Sequence, residues 1–176
     1  MTQIRKVEVA AFKEEWTTLY EIEAEKLKRI FGENITAIYH IGSTSVSGLK
    51  AKPIIDMMPV VKDIELVDQL NEKMQELSYE PMGEYGIPGR RYFRKGKEKR
   101  THHIHVFQYG SSDINRHLAF RDYLREYPNV SDRYGALKEK LAKQFPYDID
   151  SYINGKNQFV KEIETQALDW YLKINN

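Results

Sequence analysis

Three stretches of this chain carry residues whose types and spacing could do chemistry. In Ile38-Tyr-His-Ile-Gly42-Ser43-Thr44, an apolar, β-branched run stops at a glycine followed by hydroxyls. Gly42, lacking Cβ, lets a charged ligand reach the backbone, and the amides and hydroxyls of Ser43 and Thr44 suit phosphate oxygens where a short helix begins. The second stretch, Lys52-Pro-Ile-Ile-Asp56-Met57-Met58, reads as a strand with proline at its start, where a missing amide costs least. Side chains alternate along it, so Asp56 shares a face with Ile54, Met58 and Val60. A carboxylate in that company needs a partner, and a metal ion is one. A plain turn and a strand-end acid bonded to backbone would use the same residues. The order of the pieces favours phosphate and metal.

The third stretch is Arg100-Thr-His-His103-Ile-His105-Val106. On a strand His103 and His105 point to one face, and His102 to the other with Ile104 and Val106. With Asp56 they would make a two-histidine, one-carboxylate set, suited to manganese, iron or zinc better than to magnesium alone. Bonding to backbone or to an anion is the alternative, and His40 and His102 read as packed or hydrogen-bonded. Residues 90–95 and 100–108 form a hairpin turned at Gly96-Lys-Glu-Lys99. An even loop puts Arg90, Tyr92 and Arg94 on the histidine face; an odd one puts Arg91 there. Arg90 or Arg91 could hold a phosphate bidentately and offset transition-state charge. Lys52, Arg121 and Lys156 are further phosphate-binding candidates from separate segments.

His40-Ile-Gly-Ser-Thr-Ser-Val-x-Gly-Leu-x-Ala-Lys-Pro-Ile-Ile-Asp56, Arg100-Thr-His-His-Ile-His-Val106, Phe120-Arg-Asp-Tyr-Leu-Arg125 and Tyr152-x3-Lys156 together resemble the GrpB family. The likeness runs from about Thr36 to Lys161. It implies a nucleotidyltransferase-superfamily fold, and a link to coenzyme A metabolism, since related domains are sometimes fused to dephospho-coenzyme A kinase. Working enzymes of that superfamily carry two acids at alternate strand positions and a third nearby, because two cations clamp the attacking and leaving oxygens. Met58 stands at the second position here, and a thioether is a poor ligand for a hard cation.

Other elements must position these residues. Phe12, Trp16, Leu19 or Tyr20, Leu27 and Ile30 or Phe31 recur near helical spacing before Gly32, and Ile64, Val67, Leu70, Met74 and Leu77 mark a second helix with Asp63 near its start. The segment Pro81-Met-Gly-Glu-Tyr-Gly-Ile-Pro-Gly89 breaks regular structure as a lid or a surface connector. Helices follow over 118–125, around Val130 to Phe145, and from Phe159 to Tyr171. The expected class is α+β: a nucleotidyltransferase-like small mixed sheet flanked by helices, with a C-terminal helical half, in one domain over 1–176.

Composition narrows the function. At 176 residues the chain can bury roughly 70% of the surface its unfolded form exposes. Cysteine is absent, which excludes thiol chemistry and cysteine zinc sites. Met1-Thr-Gln-Ile-Arg-Lys lacks the pattern of a signal peptide, and no run reaches the ~18 apolar residues of a membrane span. A cytoplasmic protein with no membrane association is expected. A net charge of +1 gives no global field for polyanions, and the basic cluster from Arg90 to Arg100 does not extend into interleaved aromatics on a long strand, so nucleic acid ranks low as a partner. The leading expectation is a nucleotidyl- or phosphoryl-transferase-like protein dependent on manganese, magnesium or zinc and acting on a nucleotide or small phosphorylated molecule. The alternative is a non-catalytic nucleotide- or coenzyme-A-binding module with a degenerate site. A third reading is metal-dependent hydrolysis through the histidines.

Overall fold

The computed structural model describes residues 6–176, so the amino-terminal segment read above for a leader pattern lies mostly outside the described residues. The chain divides into a sheet unit, Glu14–Ile41 with Ile54–Ile114, and a helical unit made of residues through Lys13, Gly42–Pro53 and Asn115–Asn176.

In the sheet unit, helix α1 (Glu15–Phe31) buries Trp16, Leu27 and Phe31 of the expected stripe and Ala24 besides, while Leu19 is exposed. Gly32, at φ +57°, ends it by returning its amide to the Lys28 carbonyl. Strands β1 (Ile35–Ile41), β2 (Ile55–Val61), β3 (Tyr79–Pro81), β4 (Arg91–Lys95) and β5 (His102–Gln108) form one sheet in the order β1-β2-β5-β4-β3. β2 and β5 run parallel and the other neighbours antiparallel. The sheet is therefore mixed, as expected.

Register assigns the two faces. Ile55, Met57, Phe93, Ile104, Lys95, His102 and Tyr79 share one face, and α1 lies on it, because Glu23 of α1 bonds Tyr79 and Lys95. His40, opposite Met57, stacks on Tyr20 of α1 at 4.8 Å, the packed role expected of it. The other face carries Asp56, Met58, His103, His105, Tyr92 and Arg94.

Between β2 and β3 the structure departs from the single helix expected. Ile64–Leu70 is a 3₁₀ helix, and α2 (Asn71–Glu76) follows it. Asp63 caps the start by accepting from the Glu65 amide.

The helical unit holds α4 (Pro128–Gln144), α5 (Ile149–Ile174) and α3 (Ser112–Glu126) from Asn115 onward. Val46, Leu49, Leu124, Tyr134 and Ile163 form one core there, and Val7, Leu141 and Tyr152 another. Among the described residues no helix is long and apolar enough to cross a membrane.

Candidate functional site

Asp56 pairs across the parallel ladder with His103, which puts both side chains on one face, and His105 follows two residues on. His105 Nε2 lies 3.1 Å and His103 Nδ1 3.4 Å from the same Asp56 oxygen, Oδ1. The even hairpin loop sets Arg94 opposite His103 and Tyr92 opposite His105. Arg90, just before β4, then reaches His105 Nδ1 with Nη1 at 3.2 Å. The acid, the two histidines and Arg90 therefore meet.

A guanidinium cannot accept a hydrogen bond, so His105 Nδ1 accepts from Arg90 and the ring proton of neutral His105 belongs on Nε2, aimed at Asp56. Hydrogen bonds to an ionised acceptor are worth about 1.5–3 kcal/mol each. Burial opposes ionisation of Asp56, but His103 and His105 outweigh it and hold the carboxyl well below the ordinary carboxylate range. Its side chain stays 27% exposed, enough for a ligand to reach an acid that is charged near neutral pH.

Arg90 itself does not stand where a substrate phosphate would meet it. It is 6% exposed, and its other nitrogens donate to the carbonyls of Glu84 and Tyr85 at 3.2 and 2.8 Å. It acts through His105 as a positioning residue. Arg91 projects to the opposite face and forks onto Asp68 at 2.7 and 3.3 Å. The loop before β4 is tied to the strand as well: Met82 and Tyr92 amides donate to the Tyr92 and Gly83 carbonyls at 2.9 and 2.8 Å. A connector pinned in this way is no freely swinging lid.

As a cation site the cluster is uneven. Asp56 and His103 are an oxygen and a nitrogen that a single divalent ion could take. His105 would have to give up the Nε2 proton that Arg90 imposes. Met58, at the second acid position, is a fully buried thioether. Among the described residues no group of three or more His, Asp or Glu stands ready to hold a metal, so the two-cation clamp does not fit.

The glycine-hydroxyl bend belongs to the helical unit. Gly42 takes φ +71°, a conformation that leaves glycine preferred, and Ser43–Ser45 make a single 3₁₀ turn. Thr44 is buried, whereas Ser43 Oγ accepts from Lys138 Nζ at 2.8 Å. Lys138 is 2% exposed and lies over the Tyr134 ring, and Arg125 grips the Ser45 carbonyl with two nitrogens at 3.0 and 2.7 Å. Neither Lys138 nor Arg125 was a sequence candidate. Lys52 and Lys156, candidates from segments a hundred residues apart, sit over the same Tyr152 ring at 5.5 and 5.3 Å. Arg121 instead pairs with Asp122 at 2.8 Å.

With this geometry in view, the family model described as GrpB protein matches residues 6–166, running through both units. This chain belongs to the GrpB family. The UPF0157 protein YqkA of Bacillus subtilis is 49% identical over 172 residues, 98% of this chain and 50% of that protein, so the chain spans half the length of this relative. The crystal structure of conserved protein GrpB from Enterococcus faecalis superposes with a TM-score of 0.91 at 48% identity, covering 94% of this chain and 99% of that one. The Cid1 poly(U) polymerase with MgGTP bound matches with a TM-score of 0.52 at 15% identity, over 77% of this chain and 44% of that one. That likeness shows a nucleotidyltransferase-like fold and nothing beyond it. Dephospho-CoA kinase of Mycolicibacterium paratuberculosis is 22% identical over 181 residues, 89% of this chain and 44% of that protein.

Proposed function

We propose that this GrpB protein is a nucleotidyl- or phosphoryl-transferase-like protein acting on a nucleotide or small phosphorylated substrate, with the Asp56 cluster as its reacting centre. One observation carries the reading: a partly exposed carboxylate held ionised by two histidines, one of them oriented by a buried arginine. Asp56, as a carboxylate, accepts the hydrogen bond of an attacking hydroxyl and orients it; the hydroxyl proton passes to solvent as the oxygen–phosphorus bond forms and the bond from phosphorus to the leaving phosphate oxygen breaks. His105 keeps the carboxylate in one rotamer, and His103 adds a second donor beside the developing charge. Asp56 and His103 are the residues that would hold a single divalent cation, which supplies positive charge for a phosphoryl group when bound. In the helical unit taken by itself, Lys52 and Lys156, which meet over the Tyr152 ring, are cations suited to an anionic ligand.

The test uses labelled nucleoside triphosphates with a metabolite extract as the source of acceptors, in manganese, magnesium or zinc. Wild type is expected to transfer label, and Asp56→Asn to lose transfer by at least about 100-fold, in line with loss of the charge that orients the attacking group, while still binding nucleotide. Equal transfer by Asp56→Asn would overturn the assignment. The buried Met58 favours a second reading, a non-catalytic nucleotide- or coenzyme-A-binding module, and saturable binding without turnover by wild type would establish it.

A further inference from the structure

Beside the Asp56 cluster the sheet unit carries an aromatic feature that the proposed chemistry leaves unused. Tyr85, in the loop before β4, stacks on Tyr92 with ring centroids 5.2 Å apart and planes 6° from parallel. Tyr92 in turn touches both histidines, its ring centroid 5.3 Å from His105 and 5.7 Å from His103. Burial, with the charge of Asp56 adding to it, pushes the Tyr92 phenol up to about 12, so the ring serves as a neutral wall. The Arg90 guanidinium lies 4.7 Å from the Tyr92 centroid and that of Arg94 5.8 Å from the Tyr85 centroid.

Tyr85 is nonetheless 54% exposed, and it sits at φ +47°, a left-handed conformation that costs a bulky residue free energy. The loop maintains that strain. Arg90 Nη2 clamps the Tyr85 carbonyl at 2.8 Å, Arg90 Nε takes that of Glu84, and the Gly89 amide donates to the Glu84 carboxylate. The same buried arginine thus fixes the exposed ring and orients His105. A hydrophobic cover for Tyr92 would need neither the positive φ nor a ring left half in solvent.

We propose that Tyr85 is a stacking platform for the nucleobase of the substrate, placed by Arg90 in fixed relation to the Asp56 centre. This rests on the nucleotide reading above and adds to it that the substrate has a planar base, recognised by ring contact and hence without strong preference among bases. A tyrosine backed by a second tyrosine and flanked by guanidiniums has the polarisable, cation-lined surface that a flat heterocycle takes.

Isothermal titration of wild type, Tyr85→Ala and Tyr85→Phe with ATP, UTP and inorganic tripolyphosphate tests this. Expected is a loss of ATP and UTP affinity of roughly 5- to 150-fold in Tyr85→Ala, wild-type affinity in Tyr85→Phe, and unchanged tripolyphosphate affinity in all three. Thermal melting of each variant accompanies the titrations and is expected to stay cooperative in all three, lowered in Tyr85→Ala by no more than the loss of the Tyr92 and Arg94 contacts. Wild-type ATP affinity in Tyr85→Ala would overturn the platform alone, as would a parallel loss of ATP and tripolyphosphate. Failure of the wild type to bind any of the three probes would overturn the nucleotide reading itself, and the platform with it.

Discussion

A histidine between an arginine and an aspartate has no choice of tautomer, and that constraint decides what the cluster can do. Arg90 donates to Nδ1 of His105, so Nε2 carries the proton toward Asp56 Oδ1. Nitrogen-15 spectra of labelled wild-type protein near pH 8 are expected to show His105 protonated at Nε2. Arg90→Met should let the ring sample both tautomers and weaken the His105 bond to Asp56, lowering stability by about 1–3 kcal/mol. A wild-type spectrum with the proton on Nδ1 would remove the positioning role and return His105 to the pool of metal ligands. Asp56, His103 and His105 were legible because strand alternation is a local rule that fixes faces without knowing partners. Lys138 was not. Its bond to Ser43 spans 95 residues, and nothing in the spacing of α4 distinguishes a lysine that turns inward from one in solvent.

At the scale of elements, the hairpin between β4 and β5 brings Arg94 opposite His103 and Tyr92 opposite His105. Gly96 makes the tight reversal: it sits at φ +92°, and a Cβ there would stand 2.0 Å from the Lys99 carbonyl oxygen. Gly96→Ala is therefore expected to cost about 1–3 kcal/mol or more in urea unfolding, with faster amide exchange along β4 and β5. Unchanged stability would mean that the strands, not the turn, set the register. The hairpin itself was readable from its two β-rich runs and central glycine, although its loop parity was not. The strand β3 escaped notice because Tyr79-Glu-Pro81 is three residues ending in proline, and pairing with β4 makes it a strand. The 3₁₀ helix was in the spacing after all. Ile64, Val67 and Leu70 repeat every three residues, the period of a 3₁₀ helix, before Met74 shifts to the α step of four.

For the molecule as a whole, stability should depend on pH through a buried polar group on the α1 face of the sheet. Glu23 is 4% exposed and accepts from Tyr79 and from Lys95, both at 2.6 Å, while His102 lies edge-on to Tyr79. Composition could not reveal this cluster, since its members come from α1, β3, β4 and β5 and meet only in the folded sheet. Burial holds His102 down to about 4 despite the pull of Glu23, with Lys95 and Lys26 adding to the depression. The folded protein thus keeps His102 neutral where an unfolded chain, with a value of about 6.5, takes up a proton. This part of the stability is complete above about pH 6.5 and declines as the pH falls toward 4, by at most about 1.4 kcal/mol per pH unit. Burial would raise Glu23, but Lys95 and Tyr79 hold it below its ordinary value of 4.5, so its share is complete down to about that pH and is lost only below it. Urea midpoints of wild type and His102→Gln between pH 7.5 and 4 separate the two. The difference between the curves cancels the titration of the other histidines, and it should be flat above about pH 6.5 and change steadily from there down to 4. A constant difference across that range would show that His102 takes up its proton as readily in the folded protein as in the open chain, and the buried cluster would carry no pH dependence through it.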